Sequence, residues 1–262
     1  MTNTDTEMAT SYTSYLALDE LLGAQRARSD EHDELLFIVI HQVYELWFKQ
    51  ILHEVRYLQE HLAAGHTAHA IRTLRRILTI LKVVVAQLDV LETMTPSQFA
   101  SFRARLDASS GFQSAQFREL EAALGRRDER VLAHYPDGGE ARARISDAMS
   151  RPALFDSFVS YLAVCGYPVS ADRDVTTPRQ PSLELQEILL QVYRDDSGQA
   201  MVAEHLVDFD EGMQEWRYRH VKMVERTIGD KAGTGGSSGA AYLRSTLFAP
   251  MFPDLWAVRS QL

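Results

Sequence analysis

The sequence predicts an all-α protein in which long, roughly antiparallel helices form a bundle-like domain with no significant sheet. Three observations carry this prediction. Apolar residues recur at helical spacing over stretches much longer than an average helix, helical patterning resumes after each glycine or proline break, and no stretch has the alternation typical of a strand. With 262 residues, 45% of them hydrophobic, the chain is long enough to bury a substantial core.

Two long helices open the bundle. Ser29 is predicted to cap the first, because acidic residues follow it where the helix dipole favours negative charge, and no proline or glycine interrupts the chain before Gly65. One face of this helix carries, at helical spacing, Phe37, His41, Tyr44, Phe48 and Leu52. The apolar pattern over residues 67–94 predicts the second long helix.

Further helices are predicted to follow. Thr95, Pro96 and Gln98 form the pattern of a capping box with proline in the first turn, so a helix begins at Pro96. The segment 108–114 interrupts the helical pattern, which returns at 113–124, 142–149, 154–165, 182–194 and 199–228. The polar stretch 168–181 is the best candidate for a surface loop or a boundary.

Composition excludes several classes of protein. A formal net charge of −9 argues against nucleic acid as the main partner, since phosphate binding needs an excess of lysine and arginine. No apolar run approaches the roughly 18 residues of a membrane span, and residues 1–11 lack the features of a signal peptide, so we expect a cytoplasmic protein outside the membrane. The single cysteine, Cys165, excludes an internal disulfide, a cysteine-rich zinc site and covalently attached haem.

Metal sites in helix bundles are commonly built from Glu-x-x-His pairs, whose spacing puts both ligands on one face. None of the nine histidines has Asp or Glu three residues before it. Two histidines nevertheless stand out. His41 lies in the apolar run LLFIVIHQVYELWF, and His220 lies on a stripe with Phe209, Met213, Trp216, Met223 and Thr227. Taken singly, each is more often a hydrogen-bonded core histidine than a metal ligand, so both interpretations stay open.

A glycine-rich stretch, KAGTGGSSGA, occupies residues 231–240. Its glycine spacing matches neither a Walker loop nor a dinucleotide-binding loop, and a helix rather than a strand precedes it. Two interpretations remain. The stretch is either a linker or a loop whose hydroxyls and amides contact a small anionic or zwitterionic ligand.

Several long blocks, taken together, carry a specific resemblance. The blocks are HDELLFIVIHQVYELWFKQILHE, VLETMTPSQFASFR, SSGFQSAQFRELE, EWRYRHVKMVERTIG and GTGGSSGAAYLRSTL. In this order they resemble the tryptophan 2,3-dioxygenase family of haem enzymes, and the likeness runs from about Tyr12 to Leu262.

The resemblance implies one haem-binding helical domain over residues 1–262, with haem b (iron protoporphyrin IX) held between helices. His220 would be the axial ligand of the haem iron, and Trp216 on the same stripe would contact the cofactor. His41 would lie on the opposite side of the haem, near the indole N–H of the bound amino acid. Phe37, one turn earlier, would pack against the indole ring.

Further site residues are implied in the same way. Arg103 matches the position that grips the substrate carboxylate, where a guanidinium fits. Thr234 matches the loop residue that contacts the ammonium and carboxylate groups, and Ser110 and Gly111 match small residues at the haem edge of the pocket. Phe99 lies one turn before Arg103, where the family can also have Tyr, so the pocket here lacks that hydroxyl.

The resemblance also implies a homotetramer. An N-terminal arm of about residues 1–28 would pack on a neighbouring subunit, whose pocket the segment containing Tyr12, Tyr15 and Leu16 would reach. Where family members commonly read Tyr-Gly-x-Tyr-Leu, this chain reads YTSYL. The edge of the pocket donated by the neighbour is therefore expected to differ.

The implied reaction adds both atoms of O₂, the co-substrate, across the indole C2–C3 bond of L-tryptophan and gives N-formyl-L-kynurenine. His41 is expected to orient the indole N–H rather than to act as an obligatory base. One alternative is a haem-dependent monooxygenase that acts on L-tryptophan or a substituted tryptophan in a specialised biosynthetic pathway. Another is a non-catalytic haem-binding sensor or scaffold.

Overall fold

Three long helices make the frame of the molecule. The computed structural model describes residues 10–106, 113–170, 172–231, 244 and 247–262. Its α-helices are α1 Tyr12–Tyr15, α2 Leu18–Leu22, α3 His32–Ala63, α4 Thr67–Leu91, α5 Pro96–Arg103, α6 Ala115–Ala123, α7 Glu140–Ser150, α8 Leu154–Val164, α9 Leu183–Arg194, α10 Gly198–Ile228 and α11 Pro253–Ala257. Short 3₁₀ helices span Glu129–His134 and Val258–Gln261. The part of the chain covered by these ranges contains no strand, which confirms the all-α prediction.

Packing places α4 between the other two long helices. α4 contacts both α3 and α10, while α5 also touches α3 and α10 near the ends of those helices. α6 and α8 cover further parts of α3. The core between them buries large apolar side chains completely, among them Phe102, Phe158, Tyr161, Phe209 and Phe252. Burial of this apolar surface is the main force that holds the helices together.

The start of α3 differs from the sequence prediction. The helix begins at His32 with Glu31 at the cap position, and no side chain caps it there. Ser29 instead donates both its backbone N–H, over 2.8 Å, and its hydroxyl to the Glu34 carboxylate, which also accepts the N–H of Arg28. The acid in the first turn thus binds the preceding loop, and Ser29 is not free to cap the helix.

The start of α5 confirms its predicted capping box. The Thr95 N–H donates to Gln98 Oε1 over 2.8 Å, and the Gln98 N–H donates back to Thr95 Oγ1 over 3.3 Å. Pro96 occupies the first turn, where its missing N–H leaves no helical hydrogen bond unmade. This box fixes where α5 begins, and therefore where its later residues Phe99 and Arg103 lie.

A tight turn joins α3 to α4. Gly65 adopts a φ of 70°, a left-handed conformation that other residues rarely adopt. A Cβ at this position would also lie 3.1 Å from the Val164 side chain. Both facts favour glycine where the chain reverses direction.

The length and apolar character of α3 correct one sequence expectation. Within the described chain, α3 is the one helix that is long and apolar enough to cross a membrane, judged by length and composition alone. The mean hydropathy of its most apolar segment is 1.3. The expectation that no apolar run approaches that length is therefore wrong for this helix. Its contacts with α4, α5, α6 and α8 are those of a helix at the centre of a bundle.

Candidate functional site

His41 has a defined hydrogen-bonding state. Its Nδ1 lies 2.7 Å from the carbonyl oxygen of Phe37, one turn earlier on α3. A carbonyl only accepts hydrogen bonds, so Nδ1 carries the proton in the neutral ring and Nε2 keeps a lone pair. Burial lowers the pKa of His41 by more than the hydrogen bond to Phe37 and the charge of Glu45 raise it. At neutral pH, His41 is therefore an uncharged acceptor at Nε2.

An aromatic group extends from His41 toward α5. The Phe37 ring lies 4.1 Å from the His41 ring, between centroids, and 5.8 Å from each of Phe99 and Phe102. Phe99 and Phe102 meet edge to face at 5.4 Å. These contacts bring the predicted substrate residues Phe37, His41 and Phe99 together on two helices. Their ring faces suit the packing of another flat aromatic group.

A cleft opens where α5 meets the end of α10. Its volume is about 490 Å³, and its lining includes Phe99 and Arg103 from α5 and Thr227, Ile228 and Lys231 from the last turn of α10 and beyond. Arg103 and Lys231 both carry positive charge, while Phe99 connects this cleft to the aromatic group around Phe37. The arrangement suits a ligand with a carboxylate at one end and an aromatic ring at the other.

Sequence reasoning did not select Lys231 as a site residue. Lys231 is the first residue of the glycine-rich stretch, and its place in the cleft depends on α10 ending beside α5. Its place at the start of that stretch was the available signal. Thr227 also lines the cleft, although the sequence pattern predicts it only as part of the His220 stripe.

His220 lies on α10, stacked on Trp216. The two rings are 5.0 Å apart between centroids and inclined by 20°. His220 keeps some contact with solvent, but protein surrounds most of it. This burial lowers the pKa of His220 to about 4, and the charges of His41 and Arg118 make smaller contributions. His220 is therefore neutral at pH 7 and has a lone pair for a metal. The influence of His41 on this pKa also indicates that the two histidines are near one another.

Aromatic side chains hold Trp216 in place. Phe117 lies 4.7 Å away, between ring centroids, and Phe48 and Tyr44 approach edge to face at 6.1 and 6.4 Å. Trp216 Nε1 is buried and has no partner within hydrogen-bond distance among the described residues. Its N–H nevertheless lies near the Tyr44 phenol, whose pKa it lowers against the larger, opposite effect of burial.

His220 is the candidate metal ligand of this region, and the side chains packed nearest to it are aromatic. In the residues that the structure describes, no group of three or more His, Cys, Asp or Glu side chains could hold a metal ion. A metal at His220 would need most of its ligands from elsewhere, as an iron atom in a porphyrin has.

Of the remaining predicted site residues, the structure describes only the three in the N-terminal arm. Tyr12, Tyr15 and Leu16 belong to α1 or follow it directly, and the side chains of the two tyrosines are 75% and 78% exposed. Thr234, Ser110 and Gly111 lie outside the described residues. The described part of the chain thus brings Phe37, His41, Phe99 and Arg103 together, stacks His220 on Trp216, and leaves the arm residues on its surface.

Comparison with known proteins gives a consistent result. A family model described as tryptophan 2,3-dioxygenase matches residues 1–148 and 182–262, and the unmatched part contains the polar stretch 168–181. A relative from Anaeromyxobacter sp. (strain K), named tryptophan 2,3-dioxygenase, is 66% identical over 256 residues, which cover 97% of both chains. Relatives with the same name from Herpetosiphon aurantiacus and Caulobacter vibrioides are 56% and 45% identical, and the matches cover 96% or more of every chain.

Proposed function

The chain belongs to the tryptophan 2,3-dioxygenase family, and on that premise we propose that it is a haem-dependent enzyme that oxidises L-tryptophan to N-formyl-L-kynurenine with O₂. The observation that carries the proposal is one continuous set of contacts. It joins the neutral acceptor His41, the rings of Phe37 and Phe99, and the cationic cleft at Arg103. Each part matches one chemical group of an indole amino acid.

Substrate binding follows from these groups. The carboxylate of tryptophan would pair with the Arg103 guanidinium, and Lys231, which also lines the cleft, would add attraction. The indole ring would pack against Phe37 and Phe99. The indole N–H would donate to His41 Nε2, which the Phe37 carbonyl keeps unprotonated. Three separate contacts then fix the position of the reacting C2–C3 bond.

His41 acts on this proposal by orienting the substrate. With a pKa below its ordinary value, the imidazole is neutral and accepts one hydrogen bond. It holds the indole N–H in place, and proton removal is not required for oxygen to add to the ring. The Phe37 carbonyl fixes both the tautomer and the direction of Nε2.

Haem b would supply the binding and activation of O₂ when bound. His220 would bind its iron, because the imidazole is neutral and stacked on Trp216. Trp216, with Phe117 and Phe48 behind it, would form an apolar wall beside the cofactor. This wall would keep water out of the site.

The dioxygenase and monooxygenase reactions differ in stoichiometry. Adding both oxygen atoms to the substrate consumes no external electrons, so the reaction balances with tryptophan and O₂ alone. A monooxygenase needs two electrons and two protons to reduce the second oxygen atom to water. The names of the relatives also favour the dioxygenase.

The exposed N-terminal segment supports an assembled enzyme. Neither α1 nor α2 contains a buried residue, and Tyr12, Tyr15 and Leu22 are each 70% or more exposed. Large apolar side chains grouped on a surface commonly mark a contact with another chain. The arm would pack on a neighbouring subunit of a homotetramer in the cytoplasm. Light scattering of the full chain tests the tetramer, and a monomer would exclude this part of the proposal.

The proposed function is tested with purified protein supplied with haem. An intense Soret band is expected, and the ferrous protein should convert L-tryptophan in air to a product that has gained two oxygen atoms. Tryptamine, which lacks the carboxylate, should be a much poorer substrate. A product with one added oxygen would support the monooxygenase, and a haem-loaded protein that leaves tryptophan unchanged would support the sensor.

A further inference from the structure

A buried carboxylate on α6 binds three arginines. Glu121 accepts from Arg118 over 2.6 Å, from Arg217 over 2.9 Å and from Arg126 over 3.2 Å. The side chains of Glu121, Arg118 and Arg217 are exposed by only 4%, 7% and 5%. None of these residues belongs to the substrate site proposed above.

The charge state of Glu121 makes these contacts strong. Burial by itself would raise the pKa of Glu121, but the charges of Arg118, Arg217 and Arg126 outweigh burial and lower the pKa below its ordinary value. The carboxylate is therefore ionised at neutral pH. Removing one partner of such a group leaves an uncompensated buried charge, which is strongly unfavourable.

One of the three arginines comes from the helix that carries His220. Arg217 lies on α10 three residues before His220, and Glu121 lies 96 residues before Arg217 in the chain. The preceding residue of α10, Trp216, packs against Phe117 of α6 at 4.7 Å and stacks on His220 at 5.0 Å. α6 therefore holds two consecutive residues of α10, one by charge and one by ring packing, directly before His220.

The opposite side of this segment is held as well. Arg219 Nη2 lies 2.6 Å from Asp89 Oδ1 and 3.4 Å from Glu92 Oε2 at the end of α4. These contacts are more exposed than those of Glu121, and exposed ion pairs contribute little to the stability of the folded protein. The buried contact with Glu121 is the stronger of the two that fix the rotation of α10 around His220.

We propose that Glu121 and Arg217 form a positioning pair that orients His220 as the axial ligand of haem iron. This inference rests on the proposed function, because it assigns a task to residues around the haem ligand. The pair fixes the rotation of α10 about its axis, Trp216 transmits that orientation to the stacked imidazole, and neither Glu121 nor Arg217 takes part in the reaction. Substitution of a group that orients a metal ligand commonly lowers metal affinity substantially.

Glu121→Gln and Arg217→Gln test the pair in haem-loaded protein. Each variant should lose haem to a haem-scavenging protein roughly tenfold faster or more, in line with the effect of groups that orient metal ligands. Each should also shift or broaden the iron–histidine stretching band in the resonance Raman spectrum of the ferrous protein. The double variant should bind haem no worse than Glu121→Gln alone, because Glu121→Gln already breaks the contact with Arg217.

A matched control exists on α8. Asp156 also binds two arginines, Arg173 at 2.7 Å and Arg179 at 2.8 Å, and its side chain is 8% exposed. Neither arginine belongs to α10. Asp156→Asn should lower the melting temperature while leaving haem loss and the iron–histidine band at their wild-type values. Equal spectral changes in Asp156→Asn and Glu121→Gln would overturn the positioning role, because they would indicate general destabilisation.

Further outcomes separate this inference from the proposed function. Wild-type protein that takes up no haem would overturn the proposed function and the pair with it. Wild-type protein that binds haem, with unchanged haem loss and an unchanged band in both variants, would overturn the pair alone. If Glu121→Gln does not fold, Arg217→Lys replaces it. Lysine keeps the charge but not the forked geometry, so a smaller change in the same direction supports the pair and no change overturns it.

Discussion

Two histidines on α3 show how strongly surroundings decide what a histidine can do. His41 and His61 are separated by 20 residues on one helix, or about 30 Å along its axis. His41 faces Phe37 and the pocket that leads to Phe99 and Arg103. His61 lies near the turn to α4 and meets other imidazoles, with its Nδ1 3.1 Å from Nδ1 of His66 and its ring stacked on His69 at 4.5 Å.

The two regions differ in what surrounds the imidazole. The partner of His41 is a carbonyl, which leaves Nε2 as a fixed acceptor toward apolar rings. The partners of His61 are titratable groups, and partial desolvation, the charge of Arg72 and the neighbouring histidines all lower the pKa of His69. His61 packs edge to face on Tyr57 at 4.2 Å, and the side chains of its neighbours His66 and His69 are exposed. Residue type alone therefore does not identify the site.

The largest effect is expected for His220→Ala, because the haem would lose its axial ligand. The variant should retain little haem after gel filtration, measured as the Soret absorbance per protein. His205→Ala is the control, since His205 lies on the same helix and its contact is an exposed one with Asp208. Unchanged haem content in the first variant would disprove the assignment of His220.

Arg103→Ala should have the second largest effect. Loss of a charge-assisted contact should raise KM for L-tryptophan about 100-fold, within the range for truncating one partner of a desolvated charge pair. Haem content should stay at the wild-type level, and KM for tryptamine should hardly change. Arg105→Ala, at an exposed position whose guanidinium contacts the Arg28 carbonyl, is the control. A large effect of Arg103→Ala on tryptamine would show that the contact is not with the carboxylate.

His41→Ala should reduce kcat/KM about tenfold, the effect of losing one hydrogen bond. Removal of an obligatory general base would instead reduce the rate by about 10² to 10⁴. Steady-state kinetics on haem-loaded protein distinguishes the two roles. A loss in the higher range would contradict the orienting role of His41.

The pH dependence of kcat/KM gives a related test without substitution. Burial lowers the pKa of His41 below 6.5, so half-protonation of Nε2 is reached only below that pH. The midpoint of the acidic fall in kcat/KM for L-tryptophan should therefore lie below pH 6.5. A midpoint above pH 6.5 would contradict a neutral, buried His41.

The smallest effect is expected for His61→Ala. The substitution removes an imidazole that is remote from the pocket, so kcat/KM should stay within about twofold, as for most changes away from a site. The same assay used for His41→Ala measures it. A tenfold loss would remove the contrast between the two ends of α3 and would point to a second functional region.

Much of the fold was predictable because helical spacing is a local property. The patterns that predicted α3, α4 and α10 depend on neighbouring residues, and so does the Thr95 capping box, which the structure confirms. The beginning of α3 was not predictable, because Ser29 had a competing partner in Glu34. Local rules do not decide between a helix cap and a loop contact.

The site was less accessible to pattern reasoning than the fold. His41 and His220 stood out by their apolar surroundings, but their relation to each other depends on how α3 and α10 pack. Lys231 joins the cleft only because the end of α10 lies beside α5. Glu121 and Arg217 are 96 residues apart, and nothing in the sequence near either residue indicates the other. The roles of Arg103 and Thr234 came from family resemblance and not from spacing.

The most direct test of tryptophan oxygenation is the fate of the two atoms of O₂. Ferrous, haem-loaded protein is mixed with L-tryptophan and ¹⁸O₂, and the product is analysed by mass spectrometry at once, before its carbonyl oxygens exchange with water. A dioxygenase places both labelled atoms in a ring-opened product. A product with a single labelled oxygen and an intact ring, formed only when a reductant is added, would contradict the proposed function.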